Sequence, residues 1–250
     1  MQSIKEIKEV LCNNPSPEQL ELIANDQRKG AQLALKKYYK EIERTAQLER
    51  EFLERQKYEI PLWKQGKIVA GVDEVGRGPL AGPVVTAAVV LPANNTLKEV
   101  NDSKQLSDKR RRIYYQNICQ QALDISIGIG SSELIDTENI YHATELVMRQ
   151  AVDGLNMRPD FLLVDAMTIP VDIKQEKIIK GDANSVSIAA ASIVAKEIRD
   201  DIMKMYDIMY PGYGFGQNAG YGTKIHLEGL ENQGITPIHR KSFSPVKNII

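Results

Sequence analysis

The chain has 250 residues, 32 basic against 33 acidic side chains, and two cysteines. That length makes one large domain, or one domain with a small appendage, and buries enough surface to fold without disulfides or a structural metal. The charge balance excludes strong attraction to polyanions through total charge, so a polyanion site would have to be a local patch.

Cys12 and Cys119 lie far apart with no metal-like spacing, which reads as free thiols in a reducing compartment. The first thirty residues carry Lys5, Glu6, Lys8 and Glu9 and no apolar leader run. The longest apolar runs, around 84–91 and 188–195, are too short to span a bilayer. The expectation is a cytoplasmic protein with no membrane association.

Residues 1–65 read as a helical N-terminal extension, and residues 66–250 as an α/β domain. In the extension, Ile4, Ile7, Val10 and Leu11 share one helical face that ends at Asn13-Asn14-Pro15. Ser16, Pro17 and Gln19 form a capping-box pattern that opens a second, short helix. A long charged helix is predicted from about 26 to 58, stopping before Pro61. Its charges fit either a solvated helical hairpin or an arm gripping a duplex through Arg28, Lys29, Lys36, Lys37 and Lys40.

Strands and helices then alternate. Strands are predicted at 67–73, 83–91, 124–130, 161–165 and 176–180, and helices at 107–122, 133–155, 185–209 and 223–232. Ser107 is placed to cap the helix that follows it. The larger apolar residues of 185–209 recur at helical spacing. Such alternation builds a central sheet with helices on its faces, and ligands in these sheets bind at strand ends, where Glu74 and Asp165 fall.

The chemistry centres on Gly71-Val72-Asp73-Glu74-Val75-Gly76-Arg77-Gly78, two adjacent carboxylates at the mouth of a core strand inside a glycine-rich turn. Ionised groups there repel one another and lose solvation, and a divalent cation is the simplest way to neutralise them. Asp165 closes the apolar run 161–164, and Asp182 precedes a long helix; alone, each could be an ordinary turn or helix cap. As a set, four acids at element boundaries suit two hard cations about 4 Å apart with open positions for water and phosphate. With three histidines, none at ligand spacing, zinc is disfavoured against Mg2+ or Mn2+. Carboxylates, glycine backbone donors and Arg77 together point to a phosphodiester.

Five stretches in order, GVDEVGRGPLAGPVV at 71–85, DSKQLS at 102–107, LLVDA at 162–166, KGDANSVSIAAASIVAKEIRD at 180–200 and GYGT with His226 at 220–226, resemble bacterial ribonuclease HII. The Gly-Arg-Gly-Pro form distinguishes this from the sister type HIII. The resemblance implies a ribonuclease H-like mixed central sheet flanked by helices. It also implies a metal-dependent endoribonuclease that cuts the RNA strand of RNA–DNA hybrids and incises 5′ of ribonucleotides embedded in duplex DNA. Two divalent ions would be held by Asp73, Glu74, Asp165 and Asp182, with 3′-hydroxyl and 5′-phosphate products.

Gly76, Arg77 and Gly78 would meet the ribonucleotide 2′-OH, and Tyr221 the sugar of the next deoxynucleotide. Ser103 and Lys104 would hold the backbone. The alternatives are a packing role for Tyr221 and an ordinary turn at Ser103-Lys104. Arg199 and Asp200 read as a structural ion pair, and His142 as a structural or surface residue. The segment His239-Arg240-Lys241-Ser242 fits either a phosphate patch or a polar surface tail. A monomer is expected.

Overall fold

The computed structural model describes residues 2–100 and 106–249. They form two compact units, Met1–Leu53 and Glu54–Ile250. Among the described residues no helix is long and apolar enough to cross a membrane. Cys12 and Cys119 are both free and exposed.

In the first unit, α1 (Ile4–Cys12) and α2 (Pro17–Ala24) each open with a complete capping box, Ser3 with Glu6 and Ser16 with Gln19. Two orphan N–H groups are thereby satisfied at each helix start. Ile7 and Leu11 of α1, Ile23 of α2, and Ala31, Ala34 and Leu35 of α3 (Lys29–Arg55) form a small core. The unit boundary falls in the last turn of α3.

Pro61 does not end the long helix. The chain breaks after Arg55, and Pro61 sits inside a further short helix, α4 (Glu59–Trp63). It is the third residue there, where its missing N–H would have no partner in the helix in any case. Glu59 is fully buried and accepts from the Ser185 hydroxyl at 2.5 Å and the Ser187 N–H at 3.1 Å. A carboxylate there meets the positive end of the helix that starts at Val186.

The second unit is built on a five-stranded sheet of order β3-β2-β1-β4-β5. Its strands are β1 (Val69–Val75), β2 (Val84–Val90), β3 (Asp124–Gly130), β4 (Phe161–Asp165) and β5 (Lys174–Ile178). β1 pairs antiparallel with β2, β2 antiparallel with β3, β1 parallel with β4, and β4 parallel with β5. The helices are α5 (Asp108–Gln121), α6 (Ser132–Asp153), α7 (Gly181–Asn184), α8 (Val186–Met209), α9 (Phe215–Asn218) and α10 (Lys224–Gln233).

Alternation along the strands sorts the two sheet faces. Ala70, Val72, Leu162 and Val164 pack with Met148, Ala151 and Val152 of α6. Val69 and Leu163 pack with Ile188 of α8. β1 approaches α8 so closely that a Cβ at Gly71 would overlap the Ser187 backbone carbonyl. This explains an apolar strand carrying glycine at its centre.

Local departures from the expected elements have local causes. Ser107 stands at the N-cap of α5 but makes no side-chain cap bond. α6 is two helical segments joined at Asn139 (φ 60°, ψ 162°), whose side chain accepts from the N–H groups of Tyr141 and His142 and restarts the helix. The expected helix from 185 is preceded by the separate turn α7, which carries Asp182.

Candidate active site

Asp73 lies on β1 and Asp165 at the end of β4. Because Val72 is in register with Val164, the two acids stand side by side one residue further on, on the face covered by α8. Glu74 follows on β1. Asp182 is buried in α7 (7% exposed), and the preceding residue, Gly181, donates its N–H to Asp165 Oδ1 at 2.6 Å. Parallel strands and the turn after β5 therefore gather all four predicted acids at one end of the sheet.

Asp73, Glu74 and Asp165 each face a donor. Asp73 (3% exposed) accepts from the Glu74 N–H at 2.7 Å, and Glu74 Oε1 faces Arg77 Nη1 at 3.6 Å. Burial, and then the charges of Glu74 and Asp165, push the Asp73 carboxyl well above its usual range. Burial also raises Glu74; the Arg77 guanidinium opposes this rise, and Asp165 adds to it. Glu74 Oε2 is buried with no hydrogen-bond partner.

Among the described residues no group of three His, Cys, Asp or Glu side chains stands at metal-ligating spacing as these side chains lie. The donor set nevertheless fits a hard divalent cation: all-oxygen, buried, mutually repelling, with one orphaned oxygen. A cation there would offset the repulsion that now raises Asp73 and Glu74.

Beside the acids runs the turn 76–83. Gly76 has φ +94°, and a Cβ on it would collide with the Arg199 side chain, so only glycine fits. Arg77 is partly exposed, with Tyr141 beneath its guanidinium at 6.0 Å. Tyr221 is half exposed, and a Cβ at Gly78 would stand 3.5 Å from its Cε1, so these two predicted readers face each other. Ser103 and Lys104 lie outside the described residues.

Two readings from sequence are corrected. Arg199 does not pair with Asp200. It donates to the carbonyls of Pro83 (2.9 Å), Ala219 (2.9 Å) and Ala81 (3.3 Å), while Asp200 is bound by Arg111 and Lys196. The segment from His239 begins not as a surface tail but in the interior: His239 is 1% and Arg240 0% exposed, and only Lys241 and Ser242 reach the surface. Arg240 donates to the carbonyls of Gly76, Arg77 and Gly82 at 2.5–3.1 Å. Burial lowers Arg199 to about 10 and Arg240 to about 9, and both remain charged at neutral pH. A side-chain pattern gives no hint of this, because the acceptors are backbone carbonyls from distant segments. His142 does lie on the surface, between Glu138 and Glu145.

His226 Nδ1 is 3.0 Å from the Tyr221 carbonyl, and its Nε2 is 2.9 Å from His239 Nε2. Burial holds both imidazoles below 6.5, and with His226 beside it His239 falls to about 4. The unfolded chain therefore binds more protons than the folded one in this range. The stability associated with the pair is complete above pH 6.5 and is lost as pH falls toward 4. For His239 the loss reaches up to about 3 kcal/mol. Urea denaturation at pH of about 7 and about 5 checks it, and a midpoint unchanged between the two would contradict it.

A mixed sheet of this order, with acids toward the ends of neighbouring parallel strands, has the architecture of the ribonuclease H-like class. The solved ribonuclease H2 from Pyrococcus horikoshii OT3 matches it with a TM-score of 0.64 and 26% identity, over 72% of this chain and 96% of that one. The ribonuclease HII family profile matches residues 70–246, and that of the ribonuclease HII N-terminal domain matches residues 3–63. The ribonuclease HII of Latilactobacillus sakei subsp. sakei (strain 23K) is 58% identical over 249 residues, covering 100% of this chain and 98% of the relative. That of Ligilactobacillus salivarius (strain UCC118) is 55% identical, covering 99% and 98%. The chain belongs to the ribonuclease HII family and is an enzyme, a nuclease.

Proposed function

We propose that this nuclease hydrolyses the RNA strand of RNA–DNA hybrids and incises 5′ of ribonucleotides embedded in duplex DNA, using two Mg2+ or Mn2+ ions. The observation that carries the reading is the gathering of Asp73, Glu74, Asp165 and Asp182 beside a turn whose Gly78 faces Tyr221. The four carboxylates would hold the cations. Such ions supply hydroxide from water near neutral pH and offset charge on the departing 3′ oxygen.

The protein's own residues do the rest. Gly76 and Gly78 let backbone come within reach of a ribose edge, where the 2′-OH distinguishes RNA from DNA. Arg77, partly exposed beside Glu74, would turn outward to phosphate. Tyr221 offers a half-exposed ring to the next deoxyribose. Attack by water rather than by the 2′-OH leaves 3′-hydroxyl and 5′-phosphate ends. Ser103 and Lys104 would contact the backbone. The enzyme would act as a monomer in the cytoplasm, in the removal of ribonucleotides from DNA.

An end-labelled DNA duplex carrying one ribonucleotide, incubated with Mg2+ or Mn2+, tests this, with an all-DNA duplex as control. One cut on the 5′ side of the ribonucleotide, absent from the control, is the expected result. Cutting confined to long hybrids would remove the junction-reading roles of Gly76, Arg77, Gly78 and Tyr221.

A further inference from the structure

The readers of the proposed site are two separate loops, and one short segment touches both. Arg240 clamps the first loop through the carbonyls of Gly76, Arg77 and Gly82. Its backbone N–H also donates to the Leu80 carbonyl at 2.9 Å, and the Gly82 N–H donates to the Ile238 carbonyl at 2.9 Å. His239, one residue away, reaches the second loop through His226 and the Tyr221 carbonyl. The segment is itself anchored on α6, where Asp136 accepts from the N–H groups of Lys241 and Ser242 at 2.9 Å.

The proton pattern in this chain of bonds is dictated from one end. The Thr236 N–H can only donate, and it lies 2.8 Å from His239 Nδ1, so that nitrogen is the acceptor. A neutral His239 then carries its proton on Nε2 and donates to His226 Nε2. His226 in turn carries its proton on Nδ1 and donates to the Tyr221 carbonyl. A backbone amide at 236 thus sets the tautomers of two buried rings and ends as a single directed bond on the residue that faces Gly78. Packing alone would not require this. The same rings already lie in an aromatic cluster with Tyr213 and Phe215, where a phenyl ring would fill the space.

We propose that Thr236–Arg240, acting through His226, is the positioning element that sets the spacing between the Gly76–Gly78 turn and Tyr221, and with it the preference for an RNA-to-DNA junction over uniform hybrid. None of its side chains needs to touch substrate. The proposal rests on the reading of those two loops as substrate contacts.

Two variants test it, His226→Phe, which keeps ring volume and removes the bond to Tyr221, and Arg240→Lys, which keeps charge and loses the fork. Each is assayed for kcat/KM on a duplex with one embedded ribonucleotide and on a long RNA–DNA hybrid, with thermal melts alongside. The ratio of the two kcat/KM values is expected to fall by between about tenfold and a hundredfold in both variants, since small misplacements of contact groups cost that much. In a Tyr221→Ala background, His226→Phe is expected to have no further effect on the ratio, as for residues acting through one another.

Folded variants that keep the wild-type ratio would overturn the proposal and leave the site reading intact. So would loss of the cooperative melt in both, because the segment would then hold the fold rather than the readers. A wild-type enzyme that does not cut at the single ribonucleotide would overturn the site reading itself, and this proposal with it.

Discussion

Asp73→Asn is expected to abolish cation-dependent cleavage while raising the melting temperature of the cation-free protein. Asp73 is buried on β1, and burial together with the charges of Glu74 and Asp165 makes its ionised form costly. Asn has the same shape, and its Oδ1 can still accept from the Glu74 N–H. The substitution therefore removes repulsion without making a cavity, a gain of about 1–3 kcal/mol at neutral pH.

The sign follows from the raised carboxyl. The folded state holds the proton more tightly than the unfolded chain, so wild-type stability from this group is present at low pH and lost as pH rises above 3.8. The variant's advantage should accordingly vanish in acid. Activity goes the other way. If Asp73 helps hold the cations, its loss lowers the cleavage rate by at least about a thousandfold, the scale of losing a preorganised charge at a reacting phosphate. Melting curves with and without Mg2+ separate the effects, because wild type should gain stability from the ion and the variant much less. A variant that cleaves at near wild-type rates would remove Asp73 from the metal site.

The second large effect is on stability. Arg199→Leu should destabilise the fold by about 3–5 kcal/mol, read as a lower urea midpoint. Arg199 is 1% exposed and serves the carbonyls of Ala81, Pro83 and Ala219. Leucine fills much of the volume but leaves those acceptors buried without donors, and that desolvation penalty dominates the change. The loss should also reach activity on every substrate, because Ala81 and Pro83 belong to the glycine turn and Ala219 leads into Tyr221. A midpoint within the error of wild type would mean that water reaches these carbonyls.

Much of the fold was legible in the residues. Apolar runs at 84–91 and 161–165 became central strands, and the helical spacing of 185–209 became α8. The capping box at Ser16 forms as expected, since a cap depends on residues three apart. Elements went astray where a neighbour decided the outcome. Pro61 reads as a stop, yet it lies inside α4, whose Glu59 is held by Ser185 and Ser187 more than a hundred residues away in sequence.

The candidate site divides in the same way. Sequence by itself determined which acids stand at the ends of which strands, because strand period and a glycine-rich turn are local properties, and it placed Asp73, Glu74 and Asp165 accordingly. Only the tertiary structure decided the fate of Arg199, His226, His239 and Arg240. Polar side chains read as surface unless something satisfies them, and here the partners are carbonyls and a backbone amide supplied by other segments of the chain. Burial of such groups is possible only once those segments have come together, so no local pattern could announce it.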